Sequence, residues 1–102
     1  MSPALTGRKL VAIVCEAELE TLLLPELARQ GAHGYTLTEA RGQGARGVRD
    51  GAWRASSNIR IEVLCDEGVA ERLVEMLQAR FYADYGIVVF VIDVDVLRPG
   101  KF

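Results

Sequence analysis

The sequence predicts an α+β sandwich of β-α-β-β-α-β order. Three observations carry that prediction: a β-rich apolar run followed by a helical repeat, a second strand-helix-strand series, and a long Gly/Arg-rich segment between the two middle strands. At 102 residues the chain is one domain, 1–102, with a single modest core.

Residues 1–7 carry no period and read as a loose arm. Lys9 to Cys15 is a short β-rich run between Gly7 and an acidic cluster, and predicts the first strand. From Glu16 to Gln30, Leu19, Leu22, Leu23 and Leu27 fall at helical spacing, with acids in the first turn where the helix dipole favours them. Pro25 conflicts with this helix. It costs roughly 3 kcal/mol in a helix interior and predicts a kink or break near Leu22 to Leu24. Gly31 ends the helix.

Gly34 to Arg41 alternates and predicts the second strand. Ser57 to Cys65 has the cleanest period, with Ile59, Ile61 and Val63 on one side and Asn58, Arg60, Glu62 and Leu64 on the other. It is the third strand, antiparallel to the second. Asp66 is a good N-cap for a second helix whose apolar stripe is Val69, Leu73, Met76, Leu77 and Phe81. Ile87 to Ile92 is the fourth strand, and 93–102 is a tail carrying Arg98 and Pro99-Gly100.

This order is the ferredoxin-like split βαβ pattern, in which both helices cover one face of the sheet. Leu10 to Val14 and Ile87 to Ile92 are nevertheless apolar at both parities, so the second face also needs cover. Another copy of the chain is the simplest cover, which predicts a closed homo-oligomer. Read as parallel neighbours, the first and third strands place Cys15 and Cys65 at the same end. Both are expected to be buried thiols, since a cytosolic protein has little use for a disulfide.

Composition narrows the function. The net charge of -2, with positive charge gathered in one loop, argues against a general nucleic-acid binder. The first and third strands also lack the aromatics on which an RNA-recognition module stacks bases. No apolar run reaches the roughly 18 residues of a membrane helix, and the N-terminus has no secretory pattern, so the expected location is cytoplasmic. The cysteines form no C-x-x-C pair, His33 has no neighbouring ligands, and no metal is expected. Glu16 and Glu18 follow the first strand where an acylphosphatase would cradle phosphate, and they would repel it. Glu39 and Asp50 are the acids nearest the loop, with no visible partner to tune them for hydrolysis, so no enzyme is expected.

The segment from Arg41 to Arg54 interleaves four glycines and four arginines with one acid, Asp50. Gly42 and Gly44 let backbone amides converge on an oxyanion, and Arg46 or Arg49 offers a planar fork to phosphate or carboxylate. A solvated loop without a ligand is the alternative. Trp53 has two readings, as an anchor for a partner or as a side chain folded back on the protein surface.

With these pieces in place, the chain resembles the PII-type signal-transduction proteins from Lys9 to Arg98. The resemblance rests on Gly34-Tyr-Thr-Leu-Thr-Glu-Ala-Arg-Gly-Gln-Gly44, Asn58-Ile-Arg-Ile-Glu-Val63 and the closing strand. It implies that residues 42–56 are the family's T-loop, that three subunits form a trimer, and that adenine nucleotides (ADP, AMP or ATP) bind between subunits. Thr36 matches the threonine beside the base, and Gly42 and Gly44 the glycines that meet phosphate. Arg46 and Arg49 match basic loop residues, Asn58 stands where nitrogen-sensing members have lysine, and Gly86 and Arg98 close the cleft from the neighbouring subunit.

The loop has no tyrosine for uridylylation, and Ala45-Arg46 replaces the glutamine context of nitrogen sensors. Gly44-Ala-Arg-Gly-Val-Arg49 and Tyr82-Ala-Asp-Tyr85 instead resemble PII-like proteins of bicarbonate transporters and carboxysomes. The cysteine-containing tail of the transporter-linked branch is absent, so the carboxysome-associated, bicarbonate-responsive branch is most similar. The resemblance implies a non-enzymatic sensor that regulates inorganic-carbon uptake or carboxysome function. Its T-loop would engage a transporter or a carboxysome-related protein, bringing it to the carboxysome or the inner membrane through that partner. Bicarbonate is expected on Gly42, Gln43, Gly44 and Arg46. The alternative is an adenylate-energy sensor with weak nucleotide hydrolysis and no bicarbonate response.

Energetics favour a ligand-dependent loop. Each charge-assisted hydrogen bond contributes roughly 1.5–3 kcal/mol, whereas fixing each loop residue costs about 1–2 kcal/mol. Phosphate contacts alone therefore order only the base of the loop. At about 1.5 kcal/mol per heavy atom, bicarbonate reaches about 6 kcal/mol, an affinity no tighter than tens of micromolar.

Overall fold

The computed structural model describes residues 4–42 and 58–102. Strand β1 (Thr6–Glu16) leads through a 3-10 turn (Ala17–Leu19) into α1 (Glu20–Arg29), followed by β2 (Thr36–Ala40), β3 (Asn58–Cys65), α2 (Glu67–Arg80), β4 (Val88–Val96) and a last 3-10 turn (Pro99–Lys101). The four strands form one sheet in the order β2-β3-β1-β4, and every neighbouring pair is antiparallel. This is the expected ferredoxin-like fold.

Alternation decides which side chains meet the helices. Val11, Ile13 and Cys15 of β1 and Ile59, Ile61, Val63 and Cys65 of β3 share one face with Leu23 and Leu27 of α1 and Leu73, Met76 and Leu77 of α2. Ile13, Leu23, Ile61, Leu73 and Leu77 have no exposed surface, and each such side chain contributes about 1.5–3 kcal/mol of apolar burial. Among the described residues no helix covers the opposite face. On it Val88, Phe90 and Ile92 remain 44%, 37% and 42% exposed, opposite Val14, Ala12 and Leu10 in the β1–β4 register.

Several expectations need correction. β1 and β3 are antiparallel, because a split βαβ unit makes β1 and β2 parallel and the β2–β3 hairpin then reverses β3. Cys15 stands opposite Ile59 and Cys65 opposite Lys9, so the cysteines lie at opposite ends of the sheet. Both are free and buried thiols, as expected. β4 continues through Asp93 to Val96, paired with Lys9 to Thr6, so the first residues of the expected tail and the last of the expected arm belong to strands. Asp93 and Asp95 interrupt the apolar run in sequence, but β4 is an edge strand and tolerates them.

α1 starts at Glu20 and runs unbroken through Pro25. Pro25 and Thr21, whose carbonyl lacks the amide partner that Pro25 would supply, are both exposed, where water can serve that oxygen. The helix ends in a Schellman arrangement. Gly31 N–H donates to Ala28 O at 3.0 Å and Ala32 N–H to Leu27 O at 3.1 Å, with Gly31 at φ 101°. Asp66 caps α2 by accepting from Val69 N–H at 2.8 Å. Glu26, which has no signal in the sequence, is buried on α1 and paired with Arg29 and with Arg80 at the end of α2, joining the two helices.

Candidate functional site

The register divides the expected site residues between two regions. At one end of the sheet, Asn58 pairs with Glu16 of β1 and with Ala40 of β2, while Val14 pairs with Val88 of β4. Gly42 leaves the sheet two residues beyond Ala40, and Gly86 enters two residues before Val88. Gly42, Asn58 and Gly86 are thus gathered at the end from which the long loop departs. Asn58 is fully buried there, and Gly42 is exposed.

Arg98 lies beyond the other end, two residues past Val96, which pairs with Thr6. Its backbone is left-handed (φ 54°, ψ 59°), a conformation costing about 1–2 kcal/mol for a residue with a Cβ. That turn reverses the chain into Pro99–Lys101. Arg8 Nη2 donates to Pro99 O at 3.2 Å and holds the turn against β1.

The reversal carries the C-terminal segment back towards β2. His33 Nδ1 lies 3.2 Å from Lys101 O, and Thr36 and Tyr35 share a cleft of ≈ 520 Å³ with Leu10, Leu64, Lys101 and Phe102. Glu62, directly opposite Thr36 in the β2–β3 register, also lines it. Arg60 Nε donates to Glu62 Oε2 at 3.0 Å. An apolar wall of Leu10 and Leu64 suits the face of a planar ring, the Thr36 hydroxyl and Glu62 carboxylate can meet polar edge groups, and Lys101 supplies a cation.

Asn58 and Cys65 are seven positions apart on β3, about 24 Å at the strand rise. One protomer therefore brings Gly42, Asn58 and Gly86 together and holds Arg98 far from them, with Thr36 between. Gln43, Gly44, Arg46 and Arg49, together with Asp50 and Trp53, lie outside the described residues.

Sequence reasoning missed Leu10, Tyr35, Glu62, Leu64, Lys101 and Phe102 as cleft residues. Strand parity already puts Glu62 and Leu64 on the face away from the helices. The reversal at Arg98 that adds Lys101 and Phe102 has no signal beyond Pro99-Gly100.

Comparison with known proteins identifies the family of this fold. Residues 8–101 match the family described as nitrogen regulatory protein P-II. A PII-like signaling protein from Thermus thermophilus is 43% identical with a TM-score of 0.82, over 96% of this chain and 97% of the other. CPII of Thiomonas intermedia, bound to ADP and bicarbonate, is 30% identical with a TM-score of 0.86, over 99% of both chains. The same CPII bound to ADP, AMP and acetate gives 30% identity and a TM-score of 0.83, over 97% of both. The chain, with its antiparallel four-stranded sheet, paired helices and long β2–β3 connection, belongs to the nitrogen regulatory protein P-II family.

Proposed function

We propose that the protein is a non-enzymatic cytoplasmic sensor. It binds an adenine nucleotide at clefts between the subunits of a homotrimer and responds to bicarbonate. The observation that carries this reading is the division of the site. Gly42, Asn58 and Gly86 lie at one end of the sheet, Arg98 lies past the other, and the Thr36 cleft opens between them. A head-to-tail ring brings the loop end of one protomer against the Thr36 and Arg98 region of the next, and closes after three copies. The apolar face carrying Val88, Phe90 and Ile92 is then covered from water.

The relative CPII, bound to ADP with bicarbonate or with AMP and acetate, supports the choice of ligands. In this chain Thr36 sits beside the base, and Asn58, Gly86 and Arg98 complete the pocket. Gly42, Gly44, Arg46 and Arg49 meet phosphate. Bicarbonate is held by the amides of Gly42, Gln43 and Gly44 and by Arg46, so that nucleotide and bicarbonate together select a loop conformation. The loop carries that state to a transporter or a carboxysome-related protein, coupling inorganic-carbon supply to its use.

Subunit complementation tests the shared site. Gly42→Glu places an acid at the loop end and Arg98→Glu reverses charge at the other region, and each variant alone is expected to lose ADP binding. Trimers reassembled from an equal mixture recover about a quarter of the sites, because some then combine two unaltered halves. No recovery from two folded, trimeric variants contradicts a cleft shared between subunits.

A further inference from the structure

The segment after β4 forms a strap that runs back towards β2. It turns at Arg98, where Lys101 N–H donates to Arg98 O and Phe102 N–H to Pro99 O, both at 3.1 Å. None of residues 98–102 belongs to the core between sheet and helices. Among the described hydrogen bonds, two tie this strap to the rest of the chain. Arg8 of β1 donates from Nη2 to Pro99 O, and His33, in the connection between α1 and β2, donates from Nδ1 to Lys101 O. A carbonyl only accepts, so Nδ1 of His33 carries the proton.

Those two ties set where Phe102 stands. Its side chain is half-buried and lines the Thr36 cleft together with Leu10 and Leu64, which lie directly opposite each other on β1 and β3. Tyr35, in the same lining, is 52% exposed. At ≈ 520 Å³ the cleft has the size of a small-molecule site. An aromatic ring beside an aliphatic wall is suited to the face of a planar heterocycle, because every base presents a π-face that stacks on such a ring.

We propose that Phe102 is a base-binding residue of the nucleotide cleft, stacking its ring on the adenine, and that His33 positions it by latching the strap at Lys101. This rests on the reading of the Thr36 cleft as the nucleotide site. The strap then governs affinity for the base, while the loop end governs affinity for phosphate. In the head-to-tail ring the strap stays a wall of the shared cleft, so its role is compatible with assembly. His33 is exposed, so its loss loosens the strap without opening the core.

The test is calorimetric titration of the full-length protein with ADP. Phe102→Ala is expected to weaken binding about tenfold. Phe102→Leu, which keeps an apolar side chain but has no ring, is expected to lose nearly as much, and Phe102→Trp to recover most of that affinity. His33→Ala is expected to weaken binding about threefold. His33→Gln, whose amide can donate to Lys101 O, is expected to restore most of the loss. Melting temperature and oligomeric state should not change in any of them. In a Trp53→Phe background, Phe102→Trp supplies a single tryptophan, expected to be quenched by ADP and shielded from acrylamide.

Unchanged ADP affinity in Phe102→Ala and Phe102→Leu overturns the proposal. So does an introduced tryptophan that becomes more open to acrylamide when ADP binds, since the strap would then be leaving the cleft. His33→Gln no better than His33→Ala overturns the latch. Unaltered protein that binds no ADP removes the nucleotide reading itself, whereas ADP binding indifferent to the Phe102 variants removes only the role of the strap.

Discussion

Arg60 reaches across the open face of the sheet from β3 to β4, its Cζ 5.3 Å from the centroid of the Phe90 ring. The strand between them is β1, where Ala12, opposite both Glu62 and Phe90, presents only a methyl group and is fully buried. A larger residue at Ala12 would block that approach. Arg60 and Glu62 thus fix a charged pair beside Phe90, at the centre of the face assigned to contacts between copies. A cation over an aromatic ring gains strength when water is removed, which is what assembly does to this face.

Phe90→Asp places a carboxylate in that contact. The variant is expected to keep its far-ultraviolet circular dichroism and to elute as a monomer in size exclusion with light scattering. It should also lose ADP binding if, as proposed, the cleft is shared between two protomers. A trimer retained by Phe90→Asp would mean that copies meet through another surface.

Glu26 has a side chain only 4% exposed, yet its two arginines, Arg29 and Arg80, are 69% and 56% exposed. Losing one partner of a buried ion pair is most costly when the charge left behind is buried. Here both arginines can turn to water, so Glu26→Gln is expected to cost about 1–2 kcal/mol, measured by urea unfolding. A loss above about 4 kcal/mol would show that Arg80 cannot leave its place at the end of α2.

Burial pushes the Cys15 thiol up from its ordinary value of 9.0 to about 12, with Glu16 adding to the effect, and burial raises Cys65 as well. A raised pKa in the folded state means that stability is complete below the unfolded value and is lost as pH rises towards the folded one. For Cys15, unfolding free energy is therefore expected to hold up to pH 9 and to fall between pH 9 and 12, by at most about 1.4 kcal/mol per pH unit, and Cys65 adds in the same direction. Cys15→Ala should flatten that fall. In the native protein below pH 9 both thiols should react slowly with alkylating reagents, and in denaturant both should titrate.

The fold was largely legible because its strongest signals are periodic. Ile59, Ile61 and Val63 alternate, and Leu73, Met76 and Leu77 recur at helical spacing, so the burial of each follows from position alone. Strand ends were less legible. Asp93 and Asp95 resemble tail residues in sequence, but as members of edge strand β4 they are exposed and cost little. The direction of β1 relative to β3 follows from topology and has no local signature, so nothing near Cys15 or Cys65 shows that they stand at opposite ends of the sheet.

Of the candidate site residues, Thr36, Gly42 and Asn58 come from the resemblance of the Gly34–Gly44 and Asn58–Val63 segments and Gly86 from that of the closing region, and the sheet register shows where each lies. Lys101 and Phe102 could not be foreseen, because their approach to His33 depends on the left-handed turn at Arg98. The pairing of Glu26 with Arg80 was equally hidden, since it joins residues on two different helices, far apart in the chain.

Calorimetric titration of the trimer with ADP, in the presence and absence of bicarbonate, tests the central claim most directly. The account predicts micromolar ADP binding that shifts when bicarbonate is added, with ADP shifting bicarbonate affinity by the same factor, as linkage requires. ADP binding indifferent to bicarbonate would leave an adenylate sensor and remove the carbon response. Absence of ADP, AMP and ATP binding would contradict the account and leave only the fold.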